Sequence, residues 1–107
     1  MNQGITSVTE DNYDSEVASS TLPVFIDFWA PWCAPCRALE PTVNDLVVKY
    51  DGKIKFVKIN IDESPALSRR FHVRSIPTLL MTKAGEEIER APGGTKTRIV
   101  AMLDRHI

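Results

Sequence analysis

Apolar and polar positions change period several times along the chain, and each change marks an element. Ile5-Thr6-Ser7-Val8 reads as a short strand. Thr9 then stands as a helix cap with acidic residues at 10, 11 and 14 behind it, a composition that suits a helix start. Asn12 occupies the position where a full capping box would carry Glu, so Thr9 is expected to cap alone. Tyr13 and Val17 give that helix a thin apolar stripe, and Ser19-Ser20 ends it. Leu22 to Trp29 is apolar on both faces, the mark of a central strand covered on both sides. Its one break is Asp27.

Helical spacing takes over from Cys33, with Leu39, Val43, Leu46, Val47 and Tyr50 on one side. Pro41 falls inside that pattern and is expected to kink it, and Asp51-Gly52 closes it. Ile54 to Ile61 is a second buried strand. Ser64 and Pro65 suit the cap and first position of a short helix reaching Phe71. The loop His72 to Ser75 leads into Ile76-Pro77, where a proline between loop and strand is a candidate cis bond. Thr78 to Lys83 and Glu86 to Ala91 form a hairpin about Ala84-Gly85. Pro92-Gly93-Gly94 breaks the chain. A last helix from Thr95 or Thr97 sets Ile99, Val100, Leu103 and Ile107 toward a core.

Five strands and four helices in this order predict an α/β domain spanning residues 1–107. Its alternating first half requires parallel strands and its hairpin adds antiparallel ones, so a central mixed five-stranded sheet carries helices on both faces. Composition agrees: 43% hydrophobic and 25% charged residues are ordinary for a globular domain. A net charge of −1, with scattered basic residues, argues against nucleic acid and against an anionic membrane as partners. Met1 to Asp14 lacks the basic-then-apolar order of a secretory leader, and no run approaches a membrane span. A cytoplasmic monomer is expected.

The only two cysteines, Cys33 and Cys36, lie at the junction of the central strand and its following helix. Thiol–disulfide exchange needs a thiolate, and the free N–H groups and dipole of a helix N-terminus favour that charge at Cys33. Cys36, one turn on, faces the same side within reach of a small disulfide ring. This arrangement makes Cys33 the attacking thiol and Cys36 the resolving one. Half of a zinc site and a pair of inert thiols are the competing readings. Zinc needs four ligands, and His72 and His106, the other soft candidates, stand far along the chain. No metal is expected.

Asp27 in an apolar run is costly unless paired or protonated, which should raise its pKa. Alternation places it with Phe25 and Trp29, within reach of Lys58 if the two strands pair. It is either a buried ion pair or an acid that exchanges a proton with Cys36. Trp32, beside Cys33 in a proline-flanked turn, is expected to be exposed as an apolar rim for partners. Gly93 and Gly94 permit a close backbone approach, or serve only the turn.

The run Val24 to Trp29 followed by Ala30-Pro31-Trp32-Cys33-Ala34-Pro35-Cys36, with Pro41, Lys58, Asn60-Ile61-Asp62 and Val73-Arg74-Ser75-Ile76-Pro77-Thr78, resembles the thioredoxin family from end to end. The resemblance implies the thioredoxin fold and a general protein-disulfide reductase. It implies Cys33 as nucleophile, Cys36 as resolving thiol, Asp27 as a buried acid/base helped by Lys58, and a Cys33–Cys36 disulfide in the oxidised state. It implies a cis Pro77 facing the disulfide, with Trp32, Ile76, Pro77 and Gly93 lining a groove where an extended partner segment pairs with backbone. Electrons would come from NADPH through a thioredoxin reductase, with no cofactor bound to this chain; oxidised proteins are the other partners. Ala34 departs from the family pattern, which carries glycine there, and Ala34 with Pro35 forms the family's handle on redox potential. Two other classes of function remain, a non-redox binding module and a specialised oxidase or isomerase.

Overall fold

The computed structural model describes residues 4–107. Five strands form one sheet in the order β1-β3-β2-β4-β5: β1 (Ile5–Ser7), β2 (Val24–Trp29), β3 (Lys55–Asn60), β4 (Thr78–Lys83) and β5 (Glu86–Ala91). β3 pairs parallel with β1 and β2, while β4 runs antiparallel to both β2 and β5. The mixed sheet read from the alternation is therefore present, with β2 central.

Strand alternation sorts the core into two layers. Phe25, Phe56, Leu79 and Met81 pack with α1 (Ala34–Lys49) and α3 (Lys96–Asp104). Ile26, Phe28, Val57, Ile59 and Leu80 pack on the other face with Leu67 of α2 (Pro65–Arg70) and with Tyr13 and Val17. Asp27 shares its face with Phe25 and so points toward α1. Helix α1 runs unbroken through Pro41.

Local detail departs from the sequence reading in four places. The first helix is a π-helical stretch, Asp14–Ala18, in which the Ser19 N–H donates to the Asp14 carbonyl at 2.9 Å. Thr9 does not cap it: the N-cap is Tyr13, without a side-chain capping bond. The turn before it is tied reciprocally instead, with Asn12 Oδ1 accepting from the Thr9 N–H at 2.8 Å and Thr9 Oγ1 accepting from the Asp11 N–H at 3.2 Å. Ser64 holds the N-cap position of α2 but makes no capping bond with its buried hydroxyl. Glu10, from a distant turn, accepts instead from the Ala66 and Leu67 N–H groups at 3.1 and 3.3 Å. Ile107 is exposed because α3 stops at Asp104, and Met102 joins Ile99 and Leu103 in the core. Thr95 caps α3, accepting from the Arg98 N–H at 3.3 Å.

The β4–β5 turn places Ala84 and Gly85 at φ of 53° and 83°, the pair of left-handed residues that a two-residue hairpin of the right twist requires. A Cβ on Gly85 would lie 3.1 Å from the Ala18 backbone, and the Gly85 carbonyl accepts from Tyr13 Oη at 2.9 Å. Strand β5 is an edge, rich in charge at Glu86, Glu87, Glu89 and Arg90, and its ladder with β4 shifts register between Met81 and Thr82.

Candidate functional site

The site forms where β2 ends and α1 begins. After Trp29 the chain turns, with the Cys33 N–H donating to the Ala30 carbonyl at 3.1 Å, and Cys33 becomes the N-cap of α1 in extended conformation. Its sulfur accepts from the Cys36 N–H at 3.2 Å, so one of the helix's unpaired donors points at Sγ. Ala34 and Pro35 fill the first two helical positions, where a proline loses no hydrogen bond. Cys33 and Cys36 are joined as a disulfide with Cα atoms 5.3 Å apart. Both are buried, so exposure does not distinguish their roles.

One distant segment reaches the disulfide, and a second packs against that segment. The Ile76–Pro77 bond is cis, as its place before β4 suggested, and the Ile76 carbonyl oxygen lies 3.8 Å from Cys33 Sγ. Gly93, at φ 108°, brings its backbone so close that a Cβ would sit 3.3 Å from Pro77 Cγ. Pro35, Pro77, Gly93 and Thr95 border one groove of about 400 Å³. Trp32 stands outside that groove, 65% exposed, its indole N–H donating to Asp62 Oδ2 at 2.8 Å. Ile76 packs directly on the cysteine cluster. Of the four residues expected at the groove, Pro77 and Gly93 line it, Ile76 packs on the cysteines, and Trp32 is adjacent to Cys33 in the chain but outside the groove.

Behind the disulfide lies a cavity of about 20 Å³ lined by Asp27, Trp29, Cys36, Glu40, Asn44 and Lys58, among others. That volume has room for about one water molecule. Asp27 and Lys58 are register partners across β2 and β3. They do not form a direct ion pair among the described residues. The Lys58 ammonium instead stands 5.1 Å from the centre of the Trp29 ring, and Asp27 Oδ1 is buried with no hydrogen-bond partner among the described residues. Burial pushes the Asp27 carboxyl up to about 7, against the pull of Lys58 and with a smaller push from Glu40. Sequence reasoning found Asp27 and Lys58 but missed Glu40 and Asn44. Their signal is spacing alone, one and two turns beyond Cys36 on the same side of α1.

His72 is exposed on its loop, and His106 faces Glu89 at 2.7 Å. Neither approaches the cysteines, and no cluster of three metal-ligating side chains occurs among the described residues. The disulfide places the pair in redox chemistry.

The thioredoxin family model matches residues 4–105. This chain belongs to the thioredoxin family. It is 43% identical over 101 residues to Thioredoxin 1 of Nostoc sp., covering 94% of each chain. It is 40% identical over 104 residues to a thioredoxin of Pyropia yezoensis, covering 96% of this chain and 97% of the relative. Thioredoxin M2, chloroplastic, of Arabidopsis thaliana is 46% identical over 101 residues, which cover 94% of this chain and 54% of that protein. Like other thioredoxins, the chain is a disulfide oxidoreductase, a protein-disulfide reductase working by dithiol–disulfide exchange through its single pair of cysteines.

Proposed function

We propose that Cys33 is the attacking thiol, Cys36 the resolving thiol and Asp27 the base that frees Cys36. The observation that carries this reading is the asymmetry behind the disulfide: Cys33 is the helix cap, whereas Cys36 shares a one-water cavity with Asp27. In the reduced protein the Cys33 thiolate attacks one sulfur of a target disulfide. That bond breaks, and the leaving sulfur takes the electron pair and then a proton. Cys36 passes its proton to the Asp27 carboxylate, directly or through one water, and its thiolate attacks Cys33 Sγ. The mixed disulfide breaks, and the second target sulfur leaves with its electron pair and is protonated. The target gains two electrons and two protons, and Cys33–Cys36 closes. A carboxyl that changes charge near pH 7 suits this transfer at neutral pH.

Lys58 supports the ionised form of Asp27 from the neighbouring strand. Ala34 and Pro35, between the sulfurs, set the redox potential. Trp32, Ile76, Pro77 and Gly93 form the surface on which an extended partner segment lies. Thioredoxin reductase, drawing on NADPH, returns the pair to the dithiol, and no cofactor stays on this chain. A cytoplasmic site fits a fold whose only cysteines are the working pair, since no structural disulfide calls for an oxidising compartment. Among the described residues no helix is long and apolar enough to cross a membrane. A monomer fits a sheet whose edge strand β5 is charged and irregular.

Trapping tests the order of attack. Cys33→Ser abolishes reduction of insulin disulfides and forms no adduct, and Cys36→Ser accumulates mixed disulfides with the target. The reverse pattern overturns the assignment. Function retained in the double serine variant would instead support a non-redox binding module.

A further inference from the structure

The cavity behind the disulfide grades from buried to exposed. Asp27, Cys36 and Val43 line its closed side, Trp29 and Lys58 are half-buried, and Glu40 and Asn44 are exposed. Cys36, Glu40 and Asn44 fall four residues apart on α1, so one stripe of the helix runs from the resolving sulfur to solvent. Glu40 is the second carboxylate on this cavity, and it sits on the outer side.

We propose that Glu40 is a further positioning residue of the reaction: its carboxylate stands at the solvent mouth of the Asp27–Cys36 cavity, opposes negative charge on Asp27, and sets the pH range over which Asp27 exchanges its proton with Cys36. The inference rests on the reading of Asp27 as the base for Cys36. Three charged or titratable side chains line this cavity around Asp27: Lys58 from β3, and Cys36 and Glu40 from α1. Ile5 of β1 and Trp29 of β2 bring no charge, and Leu79 is the β4 register partner. Lys58 stands over the Trp29 ring and makes no ion pair with Asp27 among the described residues, so the Glu40 charge at the mouth, though partly screened by solvent, is not cancelled at the carboxyl by a close cation. A like charge there disfavours ionisation of Asp27. This leaves the buried acid a stronger base toward Cys36 than burial and Lys58 alone would make it.

The test uses the full chain with Glu40→Gln, Glu40→Asp and Asp27→Asn. Two quantities are followed against pH: the carbon-13 shift of the Asp27 carboxyl in the oxidised protein, and the rate at which Cys36 expels a fluorescent thiol from a preformed Cys33 mixed disulfide. Glu40→Gln moves both midpoints down by about half a pH unit, and Glu40→Asp, which keeps the charge, restores them. A merely structural role for Glu40 would change thermal stability without moving either midpoint. If Glu40→Gln leaves both midpoints in place while Asp27→Asn abolishes the pH dependence of release, the role of Glu40 is overturned and that of Asp27 stands. If Asp27→Asn leaves the release profile unchanged, the role of Asp27 falls and that of Glu40 with it.

Discussion

Asp27 and Glu89 are carboxylates on the same sheet with opposite circumstances. Asp27 stands on the central strand, buried, with Oδ1 unpartnered and its carboxyl pushed up to about 7 chiefly by burial. Glu89 stands half-buried on the edge strand, held by Arg105 and by His106, and the Arg105 hydrogen bond first and His106 second draw it down to about 2. One carboxylate is left with its proton in play, while the other is locked as an anion. The difference shows where the fold retains a destabilising group, which is beside Cys36.

The contrast fixes opposite pH slopes. Between about pH 4 and 7 the folded chain holds a proton on Asp27 that the unfolded chain has released, so this group's contribution is complete at low pH and is lost as pH rises through about 7. Glu89 contributes above the ordinary glutamate range, and that contribution is lost as pH falls toward about 2.

The largest expected effect is therefore from Asp27→Asn. It should stabilise the protein at pH 8, by up to about 4 kcal/mol if the whole shift is expressed, and remove the fall in stability between pH 4 and 7. Release by Cys36 should slow by about 100-fold. Urea titrations across pH and single-turnover kinetics read both, and an unchanged stability slope would erase the contrast with Glu89. Next in size is Lys58→Met, which removes the cation that opposes burial and should move the Asp27 midpoint up by about one pH unit. A carboxyl titration by NMR checks it, and a downward shift would contradict the assigned influence of Lys58. The smallest is Glu89→Gln. An exposed Arg105 partner limits the loss to about 1 kcal/mol or less, greatest at neutral pH and low salt, with disulfide reduction unaffected. A loss as large as the gain from Asp27→Asn would show that the edge pairing is not the weakly coupled surface feature its exposure implies.

Much of this site was legible in the sequence because its signals are local. Cys33 and Cys36 declare themselves by spacing at a strand-to-helix junction, and Asp27 by being the lone charge in an apolar strand. Lys58 followed once two strands were paired side by side, and the register places it opposite Asp27. What escaped depends on partners remote in sequence or on features that look ordinary. Ser64 has a cap's identity, but Glu10 reaches the N–H groups of α2 from more than fifty residues away. Ile107 fits the helical period, yet the helix ends before that residue is reached. Glu40 reads as one more solvated charge on a helix, and only the cavity behind Cys36 marks it out.

The edges of the sheet bear on what such a reductase must survive. Opening a disulfide frees chain that it had tied down, and a loose strand seeks unpaired backbone. Here β1 offers three residues among those described, and β5 presents closely spaced glutamates on an irregular ladder. Neither is a good template for cross-β growth. A strand freed by reduction therefore finds little at these two edges to pair with.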